Sequence, residues 1–306
     1  MEELNVLSLF DGMSCGQIAL NKLEIKYKYF ASEIDKAAIK VTQDNYPNTI
    51  QLGDVTIIDI SKLLPIDLLI GGSPCQDFSL AGNQEGMKTS DGIVVDTLEK
   101  YVELKNNGCT FIGESYLFWE FVLILKILKP KYWLLENVAT MKPEYQDIIT
   151  KALGVTPILI NSSLVSCQNR KRLYWTNIPN IELPEDKNID FKYQETLTDD
   201  ELKEVKITGK GLNKFNQTKY KPNLFEVSSL PKKLPTLLKS QAKKATNSIA
   251  FKDGDDYRYL TRNEAEMAQT VPIGYTKVAT YNESVGMLGN GWTVDIIVHI
   301  LSHMKF

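Results

Sequence analysis

The segment Gly71-Gly72-Ser73-Pro74-Cys75-Gln76-Asp77-Phe78-Ser79 combines a thiol with a residue that stiffens the backbone just before it. Proline fixes the approach, and glycines with polar neighbours favour a sulfur exposed for nucleophilic attack. A lone cysteine is more often a small apolar core residue. The polar surroundings of Cys75 argue against that here. A second reactive group is Glu136, in Leu134-Leu135-Glu136-Asn137-Val138. A carboxyl after a run of apolar residues is partly desolvated, which favours its protonated form and lets it donate to a ring nitrogen. The plainer alternative is a surface carboxylate ending a strand. In Gln168-Asn169-Arg170-Lys171-Arg172 the two arginines fall on one side of an extended strand. Two such guanidiniums could hold a base carbonyl and a backbone phosphate, or could form a basic edge that resists aggregation.

A nucleoside-binding set precedes these groups. Phe10-Asp11-Gly12-Met13-Ser14-Cys15-Gly16 offers glycines where a strand turns into a helix, so backbone can approach a ligand there. Glu33, some twenty residues on, is placed to accept from ribose hydroxyls. Asp54 could hold an adenine amino group or merely form a turn. The Gly-x-Gly-x-x-Gly fingerprint is missing, which points away from pyrophosphate and toward a nucleoside without phosphates.

The elements that must position these residues read as α/β. Asn5 to Phe10, Tyr29 to Ser32, Leu52, Ile66 to Ile70 and Tyr132 to Leu135 read as strands, each running into one of the polar clusters. Helical spacing lies between them, notably Gln17 to Leu23 and Tyr116 to Leu128. The alternation predicts a parallel sheet covered by helices on both faces, with its ligand crevice at the carboxyl ends of the strands. Glu136 and Cys75 would then face one pocket from adjacent strands. Ile178 to Lys252 has weak periodicity and several prolines, and reads as a small, irregular, separately packed region. Helical spacing returns at Thr261, and Val294 to Met304 is apolar enough to dock on the sheet. The predicted organisation is 1–181 for the catalytic and cofactor domain, 182–254 for the small region and 255–306 for a segment returning to the main domain.

Composition narrows the field. With 43% hydrophobic and 24% charged residues, the 306-residue chain is globular, not disordered, collagenous or coiled-coil. Its most apolar window, Tyr116 to Leu128, is broken by Glu120 and Lys126, so no membrane span is expected. No secretion signal is read at the amino terminus, and the expected location is cytoplasmic. Cys15, Cys75, Cys109 and Cys167 form no Cys-x-x-Cys pair, and His299 and His303 are the only histidines, so neither disulfides nor a metal is expected. The net charge of -3 conceals an asymmetry. Leu202 to Lys252 holds twelve Lys against Glu204 and Glu226, leaving 23 basic and 36 acidic residues elsewhere. Such a run is often only a solvated face, but it also suits phosphate contact.

The ordered set Phe10-Asp11-Gly12, Gly72-Ser73-Pro74-Cys75-Gln76, Glu136-Asn137-Val138, Gln168-x-Arg170-x-Arg172 and Gly289-Asn290-Gly291-Trp292 resembles the motif series of the DNA (cytosine-5)-methyltransferases across nearly the whole chain. Ser8-Leu9-Phe10-Asp11-Gly12 and Gly71 to Cys75 are similar to the vertebrate de novo branch, whereas Gln76, Ala81-Gly82 and Gln168 look more like bacterial or phage enzymes. The resemblance implies a Rossmann-like S-adenosyl-L-methionine-dependent methyltransferase sheet with a small irregular target-recognition region. It implies attack of Cys75 on cytosine carbon 6, Glu136 on ring nitrogen 3 and the amino group, Arg172 on the carbonyl at carbon 2, and Arg170 on the sugar-phosphate backbone and active-site loop. It places Phe10, Asp11, Gly12, Ser14, Glu33, Ile34, Asp54, Leu117, Asn290 and Thr293 around the cofactor. Ile34 stands where a tryptophan is common, and core packing is the expected main role of Trp292. Residues 91–113 read as an insertion that could lengthen a loop closing over DNA. Lys239, Gln241, Lys243, Lys244, Asn247 and Ser248 are donors suited to guanine edges or phosphates. The implied partner is double-stranded DNA, with no membrane and no obligatory protein partner. The alternatives are a tRNA cytosine-5 methyltransferase and a catalytically inactive DNA-binding partner; a dehydrogenase fits least well because the phosphate-binding glycines are absent.

Overall fold

The computed structural model of the chain describes residues 3–74, 87–209, 211–213, 223–244 and 247–305. Apolar runs that end at glycine or acidic residues form the first strands, β1 (Leu4–Leu9), β2 (Tyr27–Ser32), β3 (Ile50–Gln51) and β4 (Leu68–Gly71). Helices α1 (Cys15–Lys22) and α2 (Lys36–Asn45) separate the first three, and Asp35 caps α2 by accepting from Ala37 and Ala38. A short pair, β5 (Lys88–Thr89) and β6 (Phe111–Ile112), flanks α3 (Leu98–Asn106). The chain continues through α4 (Phe118–Leu128), β7 (Tyr132–Val138), α5 (Pro143–Leu153), β8 (Ile158–Asn161) and β9 (Lys171–Thr176).

Seven strands form one sheet in the order β3-β2-β1-β4-β7-β9-β8. Side chains alternate across it, as the two-residue strand period requires. Val6, Leu68, Ile70 and Leu134 enter one core with Ile18 of α1. Leu7, Leu9, Leu69 and Leu135 enter the other with Phe118, Phe121 and Val122 of α4 and Ile149 of α5. Each such side chain contributes about 1.5–3 kcal/mol when fully buried.

The sheet is not wholly parallel, contrary to the sequence expectation. β9 runs antiparallel to both β7 and β8. Only a short connection through the turn Ser162–Leu164 joins β8 to β9, and a parallel return would need a long crossover. Residues 91–113, read from the sequence as an insertion, are docked on the body of the protein. Tyr101 of α3 is buried, its hydroxyl and the Lys105 ammonium both donate to Glu120 of α4, and Trp119 Nε1 donates to Val95 O at 3.3 Å.

After α6 (Asp199–Val205), strands β10 (Asn223–Glu226), β11 (Ile249–Asp253) and β12 (Asp256–Tyr259) make a small sheet that runs past the expected boundary at 254. This region does not pack separately. Val205, Leu237, Phe251 and Tyr259 belong to the same apolar cluster as Val6 and Leu134 of the main sheet. The chain then returns through α7 (Arg262–Ala268), α8 (Tyr281–Asn290) and α9 (Val294–Leu301), with Ile296, Ile297 and Ile300 of α9 in that cluster. The stretch Tyr281–Leu301 is long and apolar enough by composition to cross a membrane. It is two helices split by extended backbone at Gly291, and it is largely buried in the protein.

Candidate active site

The polar clusters meet because the strand ends are in register. Leu9 lies beside Ser32 and Gly71, and Gly71 beside Leu135. Beyond β1 the chain turns sharply, with positive φ at Phe10 (57°), Gly12 (59°) and Ser14 (61°). Two of these are not glycine, a strained arrangement of the kind that accumulates at functional sites. The turn is held by Asp11, whose carboxylate accepts from the Ser14 hydroxyl and, at 2.8 Å, from the Tyr29 hydroxyl. Burial pushes the Asp11 carboxyl up to about 6, and the hydrogen bonds from Ser14 and Tyr29 oppose that rise. Glu33 is fixed by three backbone donors: Gly12 N at 2.7 Å on one oxygen, Ile34 N and Asp35 N, each at 2.8 Å, on the other. The Ile34 side chain is 70% exposed. Asp54 takes the turn-forming role, receiving Thr56 N and Oγ1 on Oδ1. Among the described residues nothing donates to its other oxygen. Leu117 is half-buried at the start of α4, and Asn290 is exposed at the end of α8.

Two expected cofactor contacts face inward instead. Ser14 is fully buried and shared among Asp11, Gln17 and Thr42. Thr293 is 1% exposed, and its hydroxyl donates to Gln269. Both hydroxyls serve to hold the turns that carry their neighbours.

Cys75 lies outside the described residues, but the chain leading to it is anchored. Asn137 Nδ2 donates to both the carbonyl and the hydroxyl of Ser73 at 3.2 Å, and the Ser115 hydroxyl donates to Pro74 O at 3.3 Å. Glu136 stands beside this root. Arg172 Nε lies 2.9 Å from its Oε1, and Trp292 Nε1 donates to its Oε2 at 3.1 Å. The arginine reaches it because Tyr174 is directly opposite Glu136 in the β7–β9 register, making Arg172 the diagonal neighbour on the same face. Glu136 therefore accepts on both oxygens, where the sequence reading expected a donor. A Cβ on Gly72 would stand 2.9 Å from Trp292 Nε1 and 3.2 Å from Glu136 Oε2, so glycine is what lets the chain leaving β4 pass so close to this pair.

Arg170 departs most from expectation. It is 2% exposed, and its guanidinium donates to Leu237 O (2.8 Å), Gly289 O (3.1 Å) and Gly291 O (2.8 Å). It ties the returning chain to the sheet, so it is not free to hold a phosphate. The basic region is similarly sorted. Gln241 is buried, pairing both ends of its amide with the backbone of Ile249, and the buried Ser248 hydroxyl donates to Ser240 O. Lys244 donates to Glu204 O and lies over the rings of Tyr259 and Tyr281, and burial lowers its basicity. These three hold the fold, which leaves Lys239, Lys243 and Asn247 exposed. The contacts made by Trp292 and Tyr29 were not read from the sequence. Only the indole beside the Asn290-Gly291 turn hinted at a role for Trp292.

A mixed seven-stranded sheet with helices on both faces is the architecture of the S-adenosyl-L-methionine-dependent methyltransferases. Solved structures agree on the fold. A methyltransferase of Entamoeba histolytica, EhMeth, matches at a TM-score of 0.71 and 15% identity over 99% of this chain and 98% of that one. A DNMT2 of Spodoptera frugiperda matches at 0.67 and 18% identity over 98% and 99%. The chain belongs to the C-5 cytosine-specific DNA methylase family, whose model matches residues 4–232. An orphan methyltransferase of Bacillus phage SPR, M.SPRI, is 30% identical over 227 residues, which is 70% of this chain and 46% of that protein. The chain spans less than half the length of the curated relatives it matches.

Proposed function

We propose that this chain is a DNA cytosine-5 methyltransferase that uses S-adenosyl-L-methionine. The observation that carries the reading is Glu136, gripped by Arg172 and Trp292 beside Gly72, next to the Ser73-Pro74 segment that leads to Cys75.

The residues at the strand ends fit the cofactor. Glu33 is locked by three amides with capacity left for ribose hydroxyls, Asp54 has an oxygen to offer an adenine amino group, and the exposed Ile34 face suits packing on the adenine. A Cβ at Gly12 would meet nothing within 4 Å, so space for a ligand lies against the first turn. Phe10, Asp11, Leu117 and Asn290 complete that set. When bound, the cofactor supplies an electrophilic methyl group on a sulfonium.

The Cys75 thiolate adds to carbon 6 of an extruded cytosine, and the displaced ring electrons raise the nucleophilicity of carbon 5. Glu136 accepts from the amino group and, having taken a proton from solvent as the base enters, gives that proton to ring nitrogen 3 as charge develops there. Arg172, with Nε on Glu136 and Nη1 on Lys171 O, has Nη2 to offer the carbonyl at carbon 2. After methyl transfer to carbon 5, water takes the carbon 5 proton, the freed C–H electron pair re-forms the ring double bond as the bond to sulfur breaks, nitrogen 3 returns its proton to Glu136, and Cys75 leaves as thiolate. Residues 182–254 serve as the target-recognition region, with Lys239, Lys243 and Asn247 facing DNA.

Bisulfite sequencing of host DNA after expression is the test. Methylated cytosines in a fixed context are expected with the native chain and none with Cys75→Ala, which should still bind DNA; full activity in that variant overturns the mechanism. One observation favours a second reading. Three of the six expected DNA-reading groups are consumed inside the small region, so its contact surface is modest and a tRNA substrate becomes reasonable. Methyl transfer to tRNA but not to duplex DNA would select it.

A further inference from the structure

We propose that Trp292 is a positioning residue for Glu136, so that the returning segment of the chain sets the orientation of the carboxylate that engages the base. The inference rests on the function proposed above and deepens it. Core packing alone leaves unexplained why the indole N–H points at Glu136 Oε2, 3.1 Å away, in a buried site. The opposite oxygen belongs to Arg172, which comes from the same sheet. Trp292 comes from a different part of the chain, and its backbone is bolted in place from several sides. The carbonyl of the preceding Gly291 accepts from Arg170 at 2.8 Å and from Gln269 at 3.2 Å, and the Cys15 thiol lies 3.8 Å from the Trp292 carbonyl. Gly291 itself packs so tightly that a Cβ would stand 3.1 Å from Met13 Cε and from Met287 O.

A rigidly mounted donor loses little freedom when it forms the bond, so the carboxylate is held before substrate arrives. With Arg172 alone, the carboxylate could rotate about that single contact. The segment that positions Glu136 also carries Asn290, assigned above to the cofactor, which links the two halves of the site through adjacent residues.

Trp292→Phe keeps a ring in place and deletes the N–H. With tritiated S-adenosyl-L-methionine and unmethylated genomic DNA, kcat should fall about ten-fold, the loss of one tenfold step in transition-state stabilisation. KM for DNA and the dissociation constant for the cofactor should stay within about two-fold. An unchanged kcat overturns the proposal, and so does a kcat loss matched by equal weakening of cofactor binding, which would make Trp292 a cofactor or packing residue. A second measurement needs no activity: the indole 15N–1H resonance lost in Trp292→Phe should move on Glu136→Gln in the full-length protein. A resonance that does not move refutes the contact. A native chain inactive on both DNA and tRNA would instead defeat the proposed function, and the resonance would still report on Trp292.

Discussion

Arg170→Met separates two physical roles that one arginine could play. In the structure its guanidinium supplies three hydrogen bonds to the carbonyls of Leu237, Gly289 and Gly291 in a site 2% exposed. Methionine approximates the length of the side chain and donates nothing. Each carbonyl left unsatisfied in the interior costs ~1–3 kcal/mol, and relief from burying a cation offsets part of that. The net loss is on the order of 4 kcal/mol from these two effects. Unfolding entropy of about 2.1 cal/mol/K per residue, for a chain of this length, converts that into a fall of about 6 °C in Tm. Differential scanning calorimetry checks the value, with Arg170→Lys expected between the native protein and Met because an ammonium can reach some but not all of the three carbonyls. A phosphate-gripping Arg170 would behave differently: Tm unchanged, DNA affinity reduced, and the salt dependence of binding shallower by about one unit. That pattern would refute the clamp.

Asp11→Asn should flatten one component of the pH dependence of stability. The native carboxyl is held at about 6 against 3.8 for an ordinary one, so between these values the folded state takes up the proton first. This contribution to stability therefore rises as pH falls from 7 toward 4, and at pH 8 burying the charge costs up to about 3 kcal/mol. The variant should be the more stable at pH 8 and lose that advantage by pH 4; parallel curves in urea titrations would count against the assignment. Lys239→Ala and Lys243→Ala should each weaken DNA binding and reduce its salt slope by about one, whereas Gln241→Ala should lower Tm without changing that slope, as filter binding across a salt series would show. Lys105→Met leaves the 4%-exposed Glu120 carboxylate without its cation and should destabilise the protein by roughly 3 kcal/mol, part of the full effect because Lys105 is itself 35% exposed. A stability unchanged in urea would mean that α3 is not fixed through this pair.

The sequence by itself determined the ordered motifs and, for the turns after β1, β2 and β4, their placement at strand ends, whereas Glu136 lies inside β7, which pairing with β9 carries on to Val138. Strand and helix periodicities are local, and Gly12, Glu33, Gly72 and Glu136 each sit where an apolar run stops. Tertiary structure decided which of these groups meet and what each is bonded to. The antiparallel β9 follows from a short connection and not from a composition, and its register is what brings Arg172 onto Glu136. Trp292 lies 156 residues from Glu136, and Arg170 lies 119 and 121 residues from Gly289 and Gly291. No pattern within a window reports pairings at such separations. The same holds for the lysine-rich region, where Lys239 and Gln241 look equally available as sequence. Only the packing of β11 decides that one remains in solvent while the other closes a two-ended hydrogen bond to Ile249.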